Sequence, residues 1–241
     1  MKTPEFGQQT QIETPVVPEL SHLKNPADAI MLCIDSPDDI TEETINKVKM
    51  ITRNGENIDF FKKTAAIVSE VNDQDKYSRE YRNCTGTIVV GRSSADPTKN
   101  ISLLSHQMPY ELYVRDSFIA ELKKKIEKLK MDSTLGTIDA IIIGGNELND
   151  EFREYTDSII DLNKIIKDSL GFDAIVAIGP NISPRGDRTG VNTNIYFDNS
   201  NRRLYVIRAE QPENITNKSF APEDIEKEKE EWTKSLEKSK K

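Results

Sequence analysis

The chain is poor in the residues that build disulfide frameworks and membrane spans. It has 241 residues, of which two are cysteine, two are histidine and one is tryptophan. Two cysteines do not make the disulfide framework of a small secreted domain, so free thiols in a reducing compartment are expected. No apolar run approaches the roughly 20 residues that span a bilayer, and the N-terminus lacks the apolar core of a signal peptide. These absences predict a cytoplasmic protein without a membrane span.

Positive charge is also in short supply. The chain has 33 basic and 41 acidic residues, which gives a net charge of -8. Its basic clusters, such as residues 123–125, have acidic neighbours. Because a nucleic-acid backbone is bound mainly by concentrated positive charge, we expect no nucleic-acid partner.

The first quarter of the chain is predicted to hold an arm and a small accessory segment. Residues 1–26 are rich in polar residues and proline and poor in large apolar residues, which predicts a flexible arm in which His22 is incidental. Residues 27–63 contain a short apolar run around Cys33, where a buried thiol is expected, followed by helical spacing over residues 40–51. This small segment of strand and helix is predicted to pack on the main domain.

The main domain is predicted to span residues 64–209, and residues 210–241 are predicted to form a charged, partly helical tail. The tail is either solvated or a docking helix for a regulatory protein partner. Within the main domain, helical spacing predicts amphipathic helices over 116–129 and 151–170. The remaining short apolar runs predict about seven strands, and residues 64–71 suit either a strand or a helix. Two main helices and a closing strand hairpin indicate an α+β fold of mixed α/β layers.

One cysteine and one histidine flank a predicted hairpin. Cys84 precedes the apolar run 88–90, turn residues follow at 96–97, and a second run over 101–104 leads to His106. This pattern predicts two paired strands. The start of the first strand and the end of the second lie side by side in a hairpin, so Cys84 and His106 can meet. A thiol beside an imidazole is an activated nucleophile.

The order of these residues resembles the chemoreceptor glutamine deamidases called CheD, whose fold is shared by the catalytic domains of cytotoxic necrotizing factor toxins. The likeness covers about residues 64–208. In that family a cysteine opens a strand and the paired strand ends in a histidine, followed by a short apolar segment and a proline. This sequence has the same order. Three further features are similar: paired glycines after a strand at Gly144-Gly145, a helix with Asn163 that ends in Leu170-Gly171, and a closing hairpin over residues 196–206.

The resemblance implies an activity and a third site residue. Cys84 would be the nucleophile and His106 the general base, and Ser78, six residues before the cysteine, would orient the histidine. The implied reaction converts an exposed glutamine of a protein substrate into glutamate and ammonia through a cysteine thioester. It requires no metal and no organic cofactor.

Two other functions stay open. Residues 81–83, Tyr-Arg-Asn, stand where the family has small residues before the cysteine, and they favour a non-catalytic protein-interaction module on a CheD-like fold. A small-molecule amidase that uses the same Cys84 and His106 would be favoured by a closed rather than a groove-like pocket. For comparison, a cysteine and a histidine at strand ends are most simply structural, with the thiol buried and the imidazole hydrogen-bonded.

Overall fold

The computed structural model describes residues 22–35, 43, 46–47, 50, 53–57, 66–79, 81, 84–108, 116–144, 154–178 and 191–210. Ten strands and two long helices lie in these ranges. The strands are β1 (Met31–Asp35), β2 (Glu56–Asn57), β3 (Ala66–Val68), β4 (Lys76–Ser78), β5 (Thr85–Arg92), β6 (Asn100–Gln107), β7 (Asp139–Gly144), β8 (Ile175–Ile178), β9 (Val191–Asp198) and β10 (Arg203–Glu210). The helices are α1 (Asp116–Asp132) and α2 (Glu154–Leu170).

The strands form two five-stranded sheets. One sheet has the order β1-β10-β9-β4-β2 and the other has the order β3-β6-β5-β7-β8. Two antiparallel hairpins that the sequence predicts, β5 with β6 and β9 with β10, are confirmed. Together with the two helices, these sheets confirm the α+β class. Residues 66–68, for which the sequence left strand or helix open, form the edge strand β3.

Alternation along β5 separates two hydrophobic cores. Ile88 and Val90 point to one face of the sheet and Val89 points to the other, as expected for strand geometry. The first face packs against inward residues of the other sheet, which are Ile195, Phe197, Leu204 and Val206. The second face packs against the apolar sides of α1 and α2, including Leu122 and Leu162. The fold therefore has three layers, in the order β1-containing sheet, β5-containing sheet and the two helices.

The helix boundaries follow from local chemistry. α1 begins at Asp116 as predicted and extends to Asp132, three residues beyond the last predicted apolar position. α2 ends at Leu170. The backbone amide of the next residue, Gly171, donates to the carbonyl of Lys167 over 2.9 Å, and Gly171 itself has a φ of +89°. This positive φ explains the predicted stop, since glycine adopts it without a Cβ clash.

The accessory segment contributes strands to the main sheets. β1 pairs in parallel with β10, and β2 pairs in parallel with β4, so the first sheet crosses the boundary predicted at residue 63. Cys33 lies opposite Tyr205 and is partly exposed, so the expectation of a buried thiol was wrong. Of the predicted helix over 40–51, four positions are described and all are helical. The tail beyond residue 210 and the arm before residue 22 lie outside the described residues.

His22 has a structural role that its polar sequence context did not indicate. Its Nε2 lies 3.1 Å from the buried Asp139 Oδ1, and its ring stacks on Phe172 with a centroid distance of 3.9 Å. Asp139 also accepts the backbone amide of Ile30 over 2.7 Å. The expectation that His22 is incidental was therefore wrong, because it fastens the chain before β1 to the start of β7.

Candidate active site

The hairpin of β5 and β6 brings Cys84 and His106 to the same face of the sheet. Thr85 pairs with Gln107 and Ile88 with Leu104, so the register places Gly86 opposite His106. Cys84 lies two residues before Gly86, directly before β5, and therefore occupies the diagonal position relative to His106. Diagonal neighbours across an antiparallel pair are within reach of long or aromatic side chains. Both residues lie on the face toward the other sheet.

Ser78 reaches this face from the opposite sheet. It ends β4, the strand that pairs with β9, and its side chain is fully buried. Ser78 Oγ lies 2.8 Å from His106 Nδ1, so the hydroxyl and the imidazole share a hydrogen bond. This is the contact that the family resemblance implies for the third site residue. If Nδ1 carries the ring proton and donates to Ser78, then Nε2 is the basic nitrogen of His106.

Tyr81 closes the site. Its ring stacks on the imidazole of His106, with a centroid distance of 3.8 Å and an interplanar angle of 15°. Its hydroxyl donates to the carbonyl of Ser105 over 2.8 Å. With this ring in place, Tyr81 is 1%, Cys84 5% and His106 0% exposed, so neither reactive side chain is open to a substrate in this arrangement.

Two glycines make the space in which the Tyr81 ring lies. A Cβ on Gly86 would lie 2.2 Å from the carbonyl oxygen of Ser105 and 2.8 Å from Tyr81 Cε1. A Cβ on Gly144, which has a φ of +91°, would lie 2.3 Å from the carbonyl oxygen of Cys84 and 3.1 Å from Tyr81 Cδ1. We call this space, bounded by Gly86, Gly144, Cys84 and His106, the glycine recess. Any side chain larger than hydrogen at either glycine would invade it.

Burial sets the electrostatics of the site. Loss of water around the imidazole lowers the pKa of His106 from 6.5 to about 3, so the ring is neutral at physiological pH. Burial also raises the pKa of the Tyr81 phenol well above 10, and a thiolate charge on Cys84 would raise it further, while a hydrogen bond with Ser78 opposes the shift. We call the arrangement in which the Tyr81 ring covers His106 the closed arrangement. In it, His106 and Tyr81 are both uncharged, and a charge on either side chain would be costly.

The structure thus brings all three sequence-predicted residues, Cys84, His106 and Ser78, to one region between the sheets. Sequence reasoning missed the contact that Tyr81 makes with His106 and treated residues 81–83 only as a departure from the family pattern. It also gave no role to Gly86. Both features have a counterpart in the sequence, because an aromatic residue, Tyr81, stands three positions before Cys84 and a glycine, Gly86, stands two positions after it.

Comparisons with known proteins leave the family open. No protein-family model matches the chain, and no curated protein sequence is significantly similar to it. Among the described residues, no helix combines the length and the apolarity needed to cross a membrane. The same residues contain no cluster of three or more histidine, cysteine or acidic side chains that could hold a metal ion.

Proposed function

We propose that this protein is a cysteine-dependent hydrolase that deamidates glutamine side chains of a protein substrate. The observation that carries the proposal is the convergence of three residues from the two sheets: Ser78 in β4, His106 in β6 and Cys84 directly before β5, with Ser78 Oγ 2.8 Å from His106 Nδ1. The order of these residues, and the position of Ser78 six residues before Cys84, resemble the CheD glutamine deamidases, although the interval from Cys84 to His106 is longer than in typical members. Cys84 forms no disulfide, and a reduced thiol as nucleophile suits a reducing compartment, so the proposal places the protein in the cytoplasm.

The reaction uses His106 as a proton carrier in two steps. In the first, His106 takes the thiol proton of Cys84, and the thiolate sulfur attacks the carboxamide carbon. The tetrahedral intermediate collapses when His106 returns the proton to the nitrogen, so that ammonia leaves and a thioester remains. In the second, His106 takes a proton from water and the hydroxide attacks the thioester carbon. The carbon–sulfur bond then breaks as His106 passes its proton to the sulfur, which regenerates the Cys84 thiol and leaves a glutamic acid side chain that ionises to glutamate. Backbone amides near Cys84 would bind the oxyanion.

Ser78 has a positioning role in this mechanism. Its hydroxyl fixes the imidazole through Nδ1, so that the other ring nitrogen serves as the base. Neutral His106 is the form that accepts a proton, and the imidazole is neutral at physiological pH. The burial that lowers its pKa to about 3 also makes it a weaker base while Tyr81 covers it. No step needs a metal or an organic cofactor.

The test is the pH dependence of Cys84 alkylation by iodoacetamide. Cys33→Ser leaves Cys84 as the sole thiol, and the comparison is made with and without His106→Ala, and with His106→Gln if the alanine variant does not fold. We expect a rate profile with its midpoint below the ordinary thiol value of about 8.5. Loss of His106 should move the midpoint upward. A midpoint that is the same in both proteins would contradict the proposed pair.

A non-catalytic protein-interaction module is the second candidate. The observation in its favour is the burial of Cys84 and His106 beneath Tyr81, which shields both reactive groups. On this interpretation Ser78, His106 and Tyr81 form a structural cluster, and the tail beyond residue 210 binds a protein partner. An alkylation profile without a contribution from His106 would favour the module over the enzyme.

A further inference from the structure

The Tyr81 ring occupies the space directly beside both proposed reactive groups. It covers the imidazole of His106 at a centroid distance of 3.8 Å and lies in the same buried cluster as Cys84. A Cβ placed on Gly144 would lie 2.3 Å from the carbonyl oxygen of Cys84 and 3.1 Å from Tyr81 Cδ1, so the Tyr81 ring and Cys84 border the same point. A substrate carboxamide whose carbon is attacked by Cys84 and whose nitrogen is protonated by His106 has to lie next to both of them. Tyr81 now fills that position.

The glycine recess suits a flat group. Its boundaries include bare backbone at Gly86 and Gly144, where an added Cβ would lie within 3.1 Å of the Tyr81 ring. The imidazole of His106 forms a parallel wall, inclined by 15° to the ring. A primary carboxamide is also planar, and it carries a donor and an acceptor that can replace the contact between the Tyr81 hydroxyl and the Ser105 carbonyl.

We infer that the glycine recess is the binding slot for the substrate carboxamide and that Tyr81 is a built-in occupant, which must leave the slot before Cys84 can react. This inference rests on the proposed function for the identity of the substrate group. The evidence for the closed arrangement itself is the stacking of Tyr81 on His106, the hydrogen bond from Tyr81 to Ser105, and the close approach of the ring to two glycines. It makes the described structure an autoinhibited form in which a side chain of the chain itself takes the place of the substrate.

The stacking on His106 and the hydrogen bonds of the Tyr81 hydroxyl, to the Ser105 carbonyl and with Ser78, hold the occupant in place, and they set the size of the expected effect. A stacked aromatic pair and a buried hydrogen bond each contribute modestly to stability, so together they favour the closed arrangement by a factor of about 10 or more. The rate of Cys84 alkylation equals the rate of the open arrangement multiplied by its population. Removal of the ring should therefore accelerate alkylation by about tenfold or more, at any pH.

The experiment measures Cys84 alkylation by iodoacetamide in the Cys33→Ser background. Tyr81→Ala empties the recess, while Tyr81→Phe retains the ring and loses the hydroxyl bond to Ser105. The matched control is Tyr77→Ala, because Tyr77 is a buried tyrosine of β4 that stacks on another ring, Tyr196, with a centroid distance of 4.7 Å, and it belongs to neither the glycine recess nor the cluster that contains Cys84. We expect the rates to rise in the order wild type, Tyr81→Phe, Tyr81→Ala, with Tyr77→Ala close to wild type.

Two outcomes would overturn the inference. If Tyr81→Ala alkylates at the wild-type rate, the ring does not control access to Cys84. If Tyr77→Ala is accelerated as much as Tyr81→Ala, the effect comes from general loosening of the sandwich. An NMR titration supplies a second readout in the His22→Gln background, which leaves His106 as the sole histidine. Entry of water in Tyr81→Ala should raise the pKa of His106 toward 6.5, whereas Tyr77→Ala should leave it near the native value.

Failure of the inference can be distinguished from failure of the proposed function. Closure changes the absolute alkylation rate, whereas activation by the imidazole changes the pH midpoint. Adding His106→Gln to Tyr81→Ala separates the two effects. A fast reaction whose midpoint is unmoved by loss of His106 would support closure and contradict the catalytic pair. A slow reaction whose midpoint depends on His106 would support the pair and contradict closure by Tyr81.

Discussion

Acid should destabilise this protein through His106 in particular. Burial holds the pKa of His106 at about 3 in the folded chain, against 6.5 for an exposed imidazole. Between these two values the unfolded chain binds a proton that the folded chain does not, so the free energy of unfolding falls as pH falls. The stabilising contribution of neutral His106 is complete above pH 6.5 and is progressively lost below it.

The magnitude follows from the two pKa values. One unit of difference corresponds to about 1.4 kcal/mol, so lowering the pH from 7 to 5 should cost about 2 kcal/mol through His106, and lowering it to 4 about 3 kcal/mol. Carboxylates titrate over the same range and add their own pH dependence. The contribution of His106 must therefore be measured as a difference between two variants.

Urea unfolding at pH 7, 6, 5 and 4 gives that difference. The two proteins are His22→Gln and His22→Gln with His106→Gln, since the first substitution removes the other histidine from both. We expect the unfolding free energy of the first to fall by about 2 kcal/mol more than that of the second between pH 7 and pH 5. Parallel pH dependences would refute the reasoning, because they would mean that His106 is as easily protonated in the folded chain as in the unfolded one.

Three further substitutions test individual contacts by denaturant unfolding at pH 7. Ser78→Ala removes the hydroxyl at His106 Nδ1 and should cost about 1–3 kcal/mol, and an unchanged midpoint would show that this bond is not formed. Gly86→Ala forces a Cβ toward Tyr81 and should cost about 1–3 kcal/mol, whereas a neutral effect would contradict the tight recess. The two carboxylate oxygens of Asp139 accept hydrogen bonds from the backbone amides of Ile30 and Ala140. Asp139→Asn leaves one acceptor oxygen in place of two and should cost about 1–3 kcal/mol, while full retention of stability would show that water substitutes for the lost acceptor.

Local patterns were sufficient to predict the elements that carry the site. Continuous apolar runs separated by turn residues defined β5 and β6, and their pairing placed Cys84 and His106 on one face. Repeats of three and four residues defined α1 and α2, because each helix buries one apolar side against the second sheet. These features depend on neighbours along the chain, which is the information that a single sequence carries well.

The missed features depend on contacts between distant residues. β4 is three residues long and begins with Lys76, a residue type that is rarely buried, yet Lys76 is fully buried because its ammonium donates to Glu56 over 2.8 Å. The pairing of β1 with β10 joins opposite ends of the described chain. The stacking of Tyr81 on His106 likewise depends on how two sheets meet. None of these contacts leaves a periodic signal.

Burial links the resting structure to the chemistry proposed for it. Transfer of the Cys84 proton to His106 creates two charges where there were none, and an environment that excludes water disfavours both. With a pKa of about 3, protonated His106 is costly while Tyr81 covers it. An enzyme built on this site must therefore replace the ring with a polar group before proton transfer, and the substrate carboxamide is such a group. A binding module has no need to open. Since the two functions share the closed structure and differ in whether it opens, the reactivity of Cys84 in wild type relative to Tyr81→Ala measures the property that separates them.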